Sequence, residues 1–169
     1  MLSRSKYLLL PLCLALFLGG CGYGLGSDAD TVLKPIEPGV LPTVKIKSVE
    51  NPTLYPWLSY VIRSEIRDEL AARKIARWVD SGKADYELAL KVTQFTFRTW
   101  ITNAQDATML YDANLTMEAI LYQGSSNKQV WSSLSSYNQT YDTVQERTAA
   151  SDLVRELVRR TVLAMRQSF

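Results

Sequence analysis

Residues 108–122 read Thr-Met-Leu-Tyr-Asp-Ala-Asn-Leu-Thr-Met-Glu-Ala-Ile-Leu-Tyr. The odd positions, Met109, Tyr111, Ala113, Leu115, Met117, Ala119 and Leu121, are apolar almost without a break. Asp112, Asn114, Thr116 and Glu118 fall between them and are expected to face water. A period of two over this length predicts a long strand with one face on a core.

Upstream, Tyr86, Leu88, Leu90 and Val92 share one face of a segment running from Asp85 to Arg98. Phe95 and Phe97 then sit in the opposite phase. A one-residue slip would turn the side chains to the wrong face, so a bulge is predicted near Thr93–Gln94. Downstream, Gln123-Gly124-Ser125-Ser126-Asn127 reads as a turn. It leads into Val130–Tyr141, a serine-rich stretch carrying Trp131, Tyr137 and Tyr141. This is expected to be an outer strand whose small polar residues are solvated. The three strands follow one another too closely for crossovers, which predicts antiparallel pairing.

Working outward, Val44 and Ile46 alternate with Lys45 and Lys47 in a short strand ended by Asn51-Pro52. A helix is predicted from near Pro56, since proline in the first turn loses no needed hydrogen bond. Leu58, Val61, Ile62, Ile66 and Leu70 line one face of it, with Arg63, Arg67, Asp68 and Arg73 off the stripe. A second helix, from about Thr148 to Gln167, buries Leu153, Val154, Leu157, Val158, Thr161, Val162 and Met165. Its basic flank would also suit anionic lipid, but packing on the sheet is the expected use of such a stripe. The order strand, helix, three strands, helix predicts an α+β fold of two layers. A four-stranded, mostly antiparallel sheet carries both helices on one face.

The N-terminus carries a different signal. Arg4 and Lys6 precede an apolar run from Tyr7 to Leu18, which ends in Leu18-Gly19-Gly20-Cys21. This pattern marks a secretory signal over residues 1–20. The run is shorter than the roughly 20 apolar residues a spanning helix needs. The residues before Cys21 resemble a lipobox, with cleavage before that cysteine and acylation on it. An ordinary signal peptide with a cysteine at its cleavage point is the alternative. Residues 21–42, with Gly22, Gly24, Gly26, Gly39, Pro35, Pro38 and Pro42, read as the acylated N-terminus and a tether.

Composition narrows the functional classes. The sequence has no histidine, and its two cysteines are Cys13, within the signal, and Cys21. The commonest general base and the commonest metal ligands are therefore missing from the expected mature chain. No catalytic residue, metal site or cofactor is expected. Removing Arg4 and Lys6 from the 19 Lys and Arg leaves 17 against 17 Asp and Glu. A neutral chain predicts no broad nucleic-acid-binding field.

Several short motifs now fall in order. Cys21-Gly22-Tyr23 follows the lipobox, and Asn51-Pro52 closes the first strand. Ala84-Asp85-Tyr86-Glu87-Leu88 opens the second strand, Tyr111-Asp112-Ala113-Asn114-Leu115 lies in the third and Val130-Trp131 in the fourth, before the closing helix. In this order the chain resembles the LptE family of lipopolysaccharide-assembly lipoproteins, with residues 43–169 as a single LptE-like domain.

The resemblance implies an outer-membrane lipoprotein that plugs the LptD β-barrel, assists its assembly and helps lipopolysaccharide reach the outer leaflet. The implied partners are that barrel, lipopolysaccharide and the membrane holding the anchor, with the domain on the periplasmic side or in the barrel lumen. A second class stays open, an outer-membrane lipoprotein acting as a periplasmic activator or secretion-pore component. Arg98, Trp100 and Arg147 are expected at one end of the sheet, where arginines beside aromatics would suit the phosphates and acyl chains of lipid A. The bland alternative pairs those arginines with Asp106 or Glu146.

Overall fold

The computed structural model describes residues 32–34, 39–102, 108–142 and 145–166. The expected signal and Cys21 lie outside these residues. The chain forms β1 (Thr43–Glu50), α1 (Leu58–Ala72), β2 (Arg77–Trp78), β3 (Tyr86–Thr102), β4 (Thr108–Gln123), β5 (Lys128–Tyr141) and α2 (Glu146–Arg166). The sheet runs β2-β1-β3-β4-β5. β1 is parallel to both β2 and β3, while β3, β4 and β5 are antiparallel neighbours.

The α+β class and the expected element order hold, with one correction. The sheet has five strands rather than four, and two of its pairings are parallel. The added strand is only two residues long, too short for any hydrophobic period to reveal it. It forms because the chain leaving α1 passes beside β1, where Arg77 N–H donates to the Pro42 carbonyl at 2.8 Å and Val79 N–H to the Val44 carbonyl at 3.0 Å. α1 bridges two parallel strands, the connection such a pair requires.

β3 changes phase where the sequence says it must. Its register against β4 shifts between Val92 and Gln94, leaving Thr93 as the extra residue. Leu88, Leu90 and Val92 before the slip, and Phe95 after it, are all buried. On β4, Ala113, Leu115, Met117, Ala119 and Leu121 are buried on the same side. Tyr111 is half-buried and stacked on Phe97, with ring centroids 5.0 Å apart. The side chain of Met109 lies outside the described residues.

Both helices cover this one face. α2 packs over β4 and β5, α1 lies against β1 and β2, and the helices pack on each other. α1 buries Leu58, Ile62, Ile66 and Leu70 at four-residue spacing, with Val61 half-buried against the same core. α2 buries nine residues from Ala149 to Met165. Thr161 is polar within that stripe, and its hydroxyl is satisfied by donating to the Leu157 carbonyl at 2.9 Å. On the exposed side, Arg159 and Arg160 both donate to Glu156 and hold its carboxyl at about 2, well below the usual range. A carboxylate depressed in this way supports the fold above its unfolded value and loses that support as pH falls from about 4.5 to about 2.

Two local devices align the strands. The Thr43 N–H and hydroxyl both donate to Asp85 Oδ2, at 2.7 and 2.8 Å, and Asp85 N–H donates back to Thr43 Oγ1 at 2.9 Å. This reciprocal clasp sits at the start of the β1–β3 pair. Gly124, in the β4–β5 turn, approaches the chain so closely that a Cβ there would meet the Ala84 carbonyl oxygen at 2.0 Å. Asn51 stabilises the entry to α1, accepting from the Thr53 hydroxyl at 2.6 Å and donating to the Tyr55 carbonyl at 2.7 Å.

Leu115 is fully enclosed at the centre of β4. Leu115→Ala is expected to lower stability by about 2–5 kcal/mol, read as a drop in the denaturant midpoint. An unchanged midpoint would mean that the apolar run does not face the helices.

Candidate functional site

The face of the sheet opposite the helices is built by the alternate residues of each strand. β3 contributes Gln94, Thr96 and Arg98; β4 contributes Asp112, Asn114 and Thr116; β5 contributes Ser136 and Asn138. Together they line a shallow polar groove of about 320 Å³. Among the described elements, neither helix covers this face.

The groove is organised by hydrogen bonds between side chains. Asn138 Nδ2 donates to Asp112 Oδ1 at 3.0 Å, and Arg98 Nε stands 3.6 Å from Asp112 Oδ2. The Thr116 and Ser136 hydroxyls share a bond of 2.9 Å, and Asn114 Nδ2 donates to Ser136 Oγ at 3.4 Å. Asp112 is only 7 % exposed, which corrects the expectation that it faces open water. Alternation sets the face correctly, but flanking side chains from β3 and β5 shut water away from the carboxylate. Asn114, Thr116 and Glu118 on the same face are half-buried. Hydroxyls, amides and one ion pair suit recognition of a polar surface. Among the described residues, no three His, Cys, Asp or Glu are grouped to hold a metal ion.

Arg98, Trp100 and Arg147 lie at one end of the molecule but in different layers. Arg98 is on the open face with Asp112. Trp100 is 58 % exposed, at a second register shift between Thr99 and Ile101. Arg147, in the first turn of α2, places its guanidinium 5.2 Å from the Trp57 ring centre in the helix layer. Asp106 lies outside the described residues. Glu146 instead accepts a hydrogen bond from the Tyr55 hydroxyl, which raises the Tyr55 pKa. Tyr141 donates to the Ala149 carbonyl at 3.4 Å, and burial, helped by nearby Asp152 and Tyr137, pushes its hydroxyl up to about 12.

Sequence reasoning overlooked Tyr55 and Trp57. Tyr55 packs edge-on against Phe95, with ring centroids 5.0 Å apart, and against Trp57 at 6.1 Å. The available signal was the aromatic pair around Pro56, which the helix reading absorbed as a simple start.

A sheet with both helices on one face is a fold shared by a class of small bacterial proteins that includes lipoproteins. The PelC dodecamer from Paraburkholderia phytofirmans superposes with a TM-score of 0.58 at 17% identity, covering 80% of this chain and 93% of that one. A putative lipoprotein from Caulobacter crescentus gives 0.51 at 15% identity, covering 73% and 87%. A minor lipoprotein from Acinetobacter baumannii gives 0.50 at 14% identity, covering 75% and 92%. No curated protein matches the sequence. Within that class the chain belongs to the LptE lipopolysaccharide-assembly family, whose sequence profile matches residues 41–165.

Asp112→Ala is expected to cost about 0.5–1.5 kcal/mol, the net worth of a lost hydrogen bond, because the exposed Asn138 amide it leaves behind can turn to water. Asp112→Asn keeps an acceptor for that amide and should cost less. Chemical denaturation of the two variants checks this, and two losses near zero would mean that the groove is fully solvated.

Proposed function

We propose that the chain is an outer-membrane lipoprotein cleaved before Cys21 and acylated on it. Residues 21–42 then form the acylated N-terminus and tether, and residues 43–169 the functional domain. That domain plugs an LptD-like β-barrel, assists its assembly and helps deliver lipopolysaccharide to the outer leaflet.

The observation carrying this reading is the open sheet face, in a chain that belongs to a lipopolysaccharide-assembly family. A barrel lumen presents polar side chains. A sheet face of hydroxyls and amides, such as Thr116, Ser136, Asn114 and Asn138, can exchange hydrogen bonds with such a wall. The helices, on the other side, keep the apolar core closed meanwhile. No described helix is long and apolar enough to cross a membrane. An acylated Cys21 would supply the hold, at about 0.8 kcal/mol per buried methylene.

Arg98, Trp100 and Arg147 stay the candidate lipopolysaccharide-binding residues. Arg98 would offer its fork to a lipid A phosphate at the end of the open face, with Trp100 beside the acyl chains. Arg147 would act from the neighbouring layer. No catalytic role is proposed, and the sequence holds no histidine to carry general-base chemistry.

The test is extraction of the tagged protein from its own membranes in mild detergent. A large β-barrel should come with it. The variant carrying Arg98→Ala and Arg147→Ala should keep the barrel but bind lipopolysaccharide several-fold less tightly. Recovery with a peptidoglycan synthase or a secretion pore, and no barrel, would overturn the proposal.

A further inference from the structure

The chain enters the domain through a clamp at one end. Val32 N–H donates to the Met165 carbonyl at 3.1 Å, in the last turn of α2, and Leu33 is buried in the core. The Tyr86 hydroxyl donates to the Lys34 carbonyl at 3.2 Å, at the first residue of β3. This end of the molecule is where β1, β3 and β5 begin and both helices finish. Cys21 precedes Val32 by eleven residues. A chain spans at most about 3.3–3.6 Å per residue, so Cys21 lies within about 40 Å of the clamp.

The clamped end is also basic. Lys34, Lys74, Arg77, Lys83, Lys128 and Arg166 are all exposed there. Among the described residues there, Asp85 is held by Thr43, Glu87 pairs with Lys45 at 2.9 Å, and Glu69 pairs with Arg73. The exposed Asp80 accepts from the Trp78 indole N–H at 2.7 Å, and the cations outnumber these carboxylates. Val40 and Leu41, 51 % and 45 % exposed, stand just before β1 at the same end. At the far end, Arg98 and Arg147 are engaged by Asp112 and Trp57, with Asp142 and Glu146 nearby in the chain.

We infer that, before a barrel captures it, the domain stands with this end on the anionic phospholipid headgroups of the leaflet that holds its anchor. The inference rests on the reading of Cys21 as acylated. Acyl chains alone hold the protein to the membrane but leave its orientation free. Cations within a Debye length of an anionic surface, each worth about fivefold in binding, select the end that faces it. Val40 and Leu41 add apolar contact at the headgroup level, as on other interfacial surfaces. The strands then point away from the membrane, and the open face stays uncovered for a protein partner.

The experiment uses the protein purified from membranes with its anchor intact. A single label site is introduced by Ser125→Cys, at the clamped end, or by Leu54→Cys, in the β1–α1 loop. Each carries a polarity-sensitive dye, in vesicles of phosphatidylcholine with or without phosphatidylglycerol. Flotation with phosphatidylcholine alone reports the anchor. Protein that does not float overturns the acylation reading and this inference with it. In floating protein, the dye at position 125 should shift to the blue only when phosphatidylglycerol is present. The shift should fall severalfold in high salt and in the Arg77→Glu, Lys83→Glu variant, while the dye at position 54 does not respond. Equal emission at position 125 in both vesicles, or an equal response at position 54, would overturn the inference with the anchor intact.

Discussion

The structure depends on one extra residue. Thr93 breaks the alternation of β3, so that Val92 and Phe95 both point at the helices although three positions separate them. Without that bulge, Phe95 and Phe97 would turn to the open face and Gln94 and Thr96 would enter the core. Burying two unpaired polar side chains and exposing two phenyl rings would cost several kcal/mol together. The bulge thus separates a continuous apolar face from a continuous polar one along a strand of 17 residues. Everything proposed for the open face follows from this separation.

The polar face is more than uncovered surface. Asp112 sits nearly out of reach of water between Arg98 and Asn138, and the Thr116–Ser136 bond ties the neighbouring strand. Pre-formed networks of this kind present fixed donors and acceptors to a partner, at little further ordering cost. They also stiffen β5, an edge strand without proline and with Lys128 as its single charge. Edges of that sort tend to pair with other chains unless something manages them. Here α2 covers one face of the strand, and Arg160 packs on Tyr137 with 4.5 Å between guanidinium and ring centre.

Much of this was legible because the signals were long. Fifteen alternating residues in β4 and two stripes of helical period leave little freedom in class or layering. The phase change at Phe95 and Phe97 located the bulge to within a residue. β2 was illegible because two residues carry no period, and its pairing comes from where α1 returns the chain. The cover over Asp112 was illegible for a related reason: alternation tells which face a side chain takes, but the neighbours that seal it belong to other strands. The end of the molecule holding Arg98 and Arg147 could be worked out from strand directions. Their separation into two layers depends on where α2 starts, and helix ends are the least certain part of any such reading. The Thr43–Asp85 clasp joins residues 42 apart in sequence and left no local trace.

The central claim is that the open sheet face meets the wall of a barrel while the helices face elsewhere. Site-specific photo-crosslinking in cells tests it most directly, with the crosslinking residue placed at Thr96 or Ser136 on the open face, or at Arg63 on the exposed side of α1. The account predicts adducts with a large β-barrel from Thr96 and Ser136, and few or none from Arg63. Barrel adducts from Arg63 with none from the open face would contradict it.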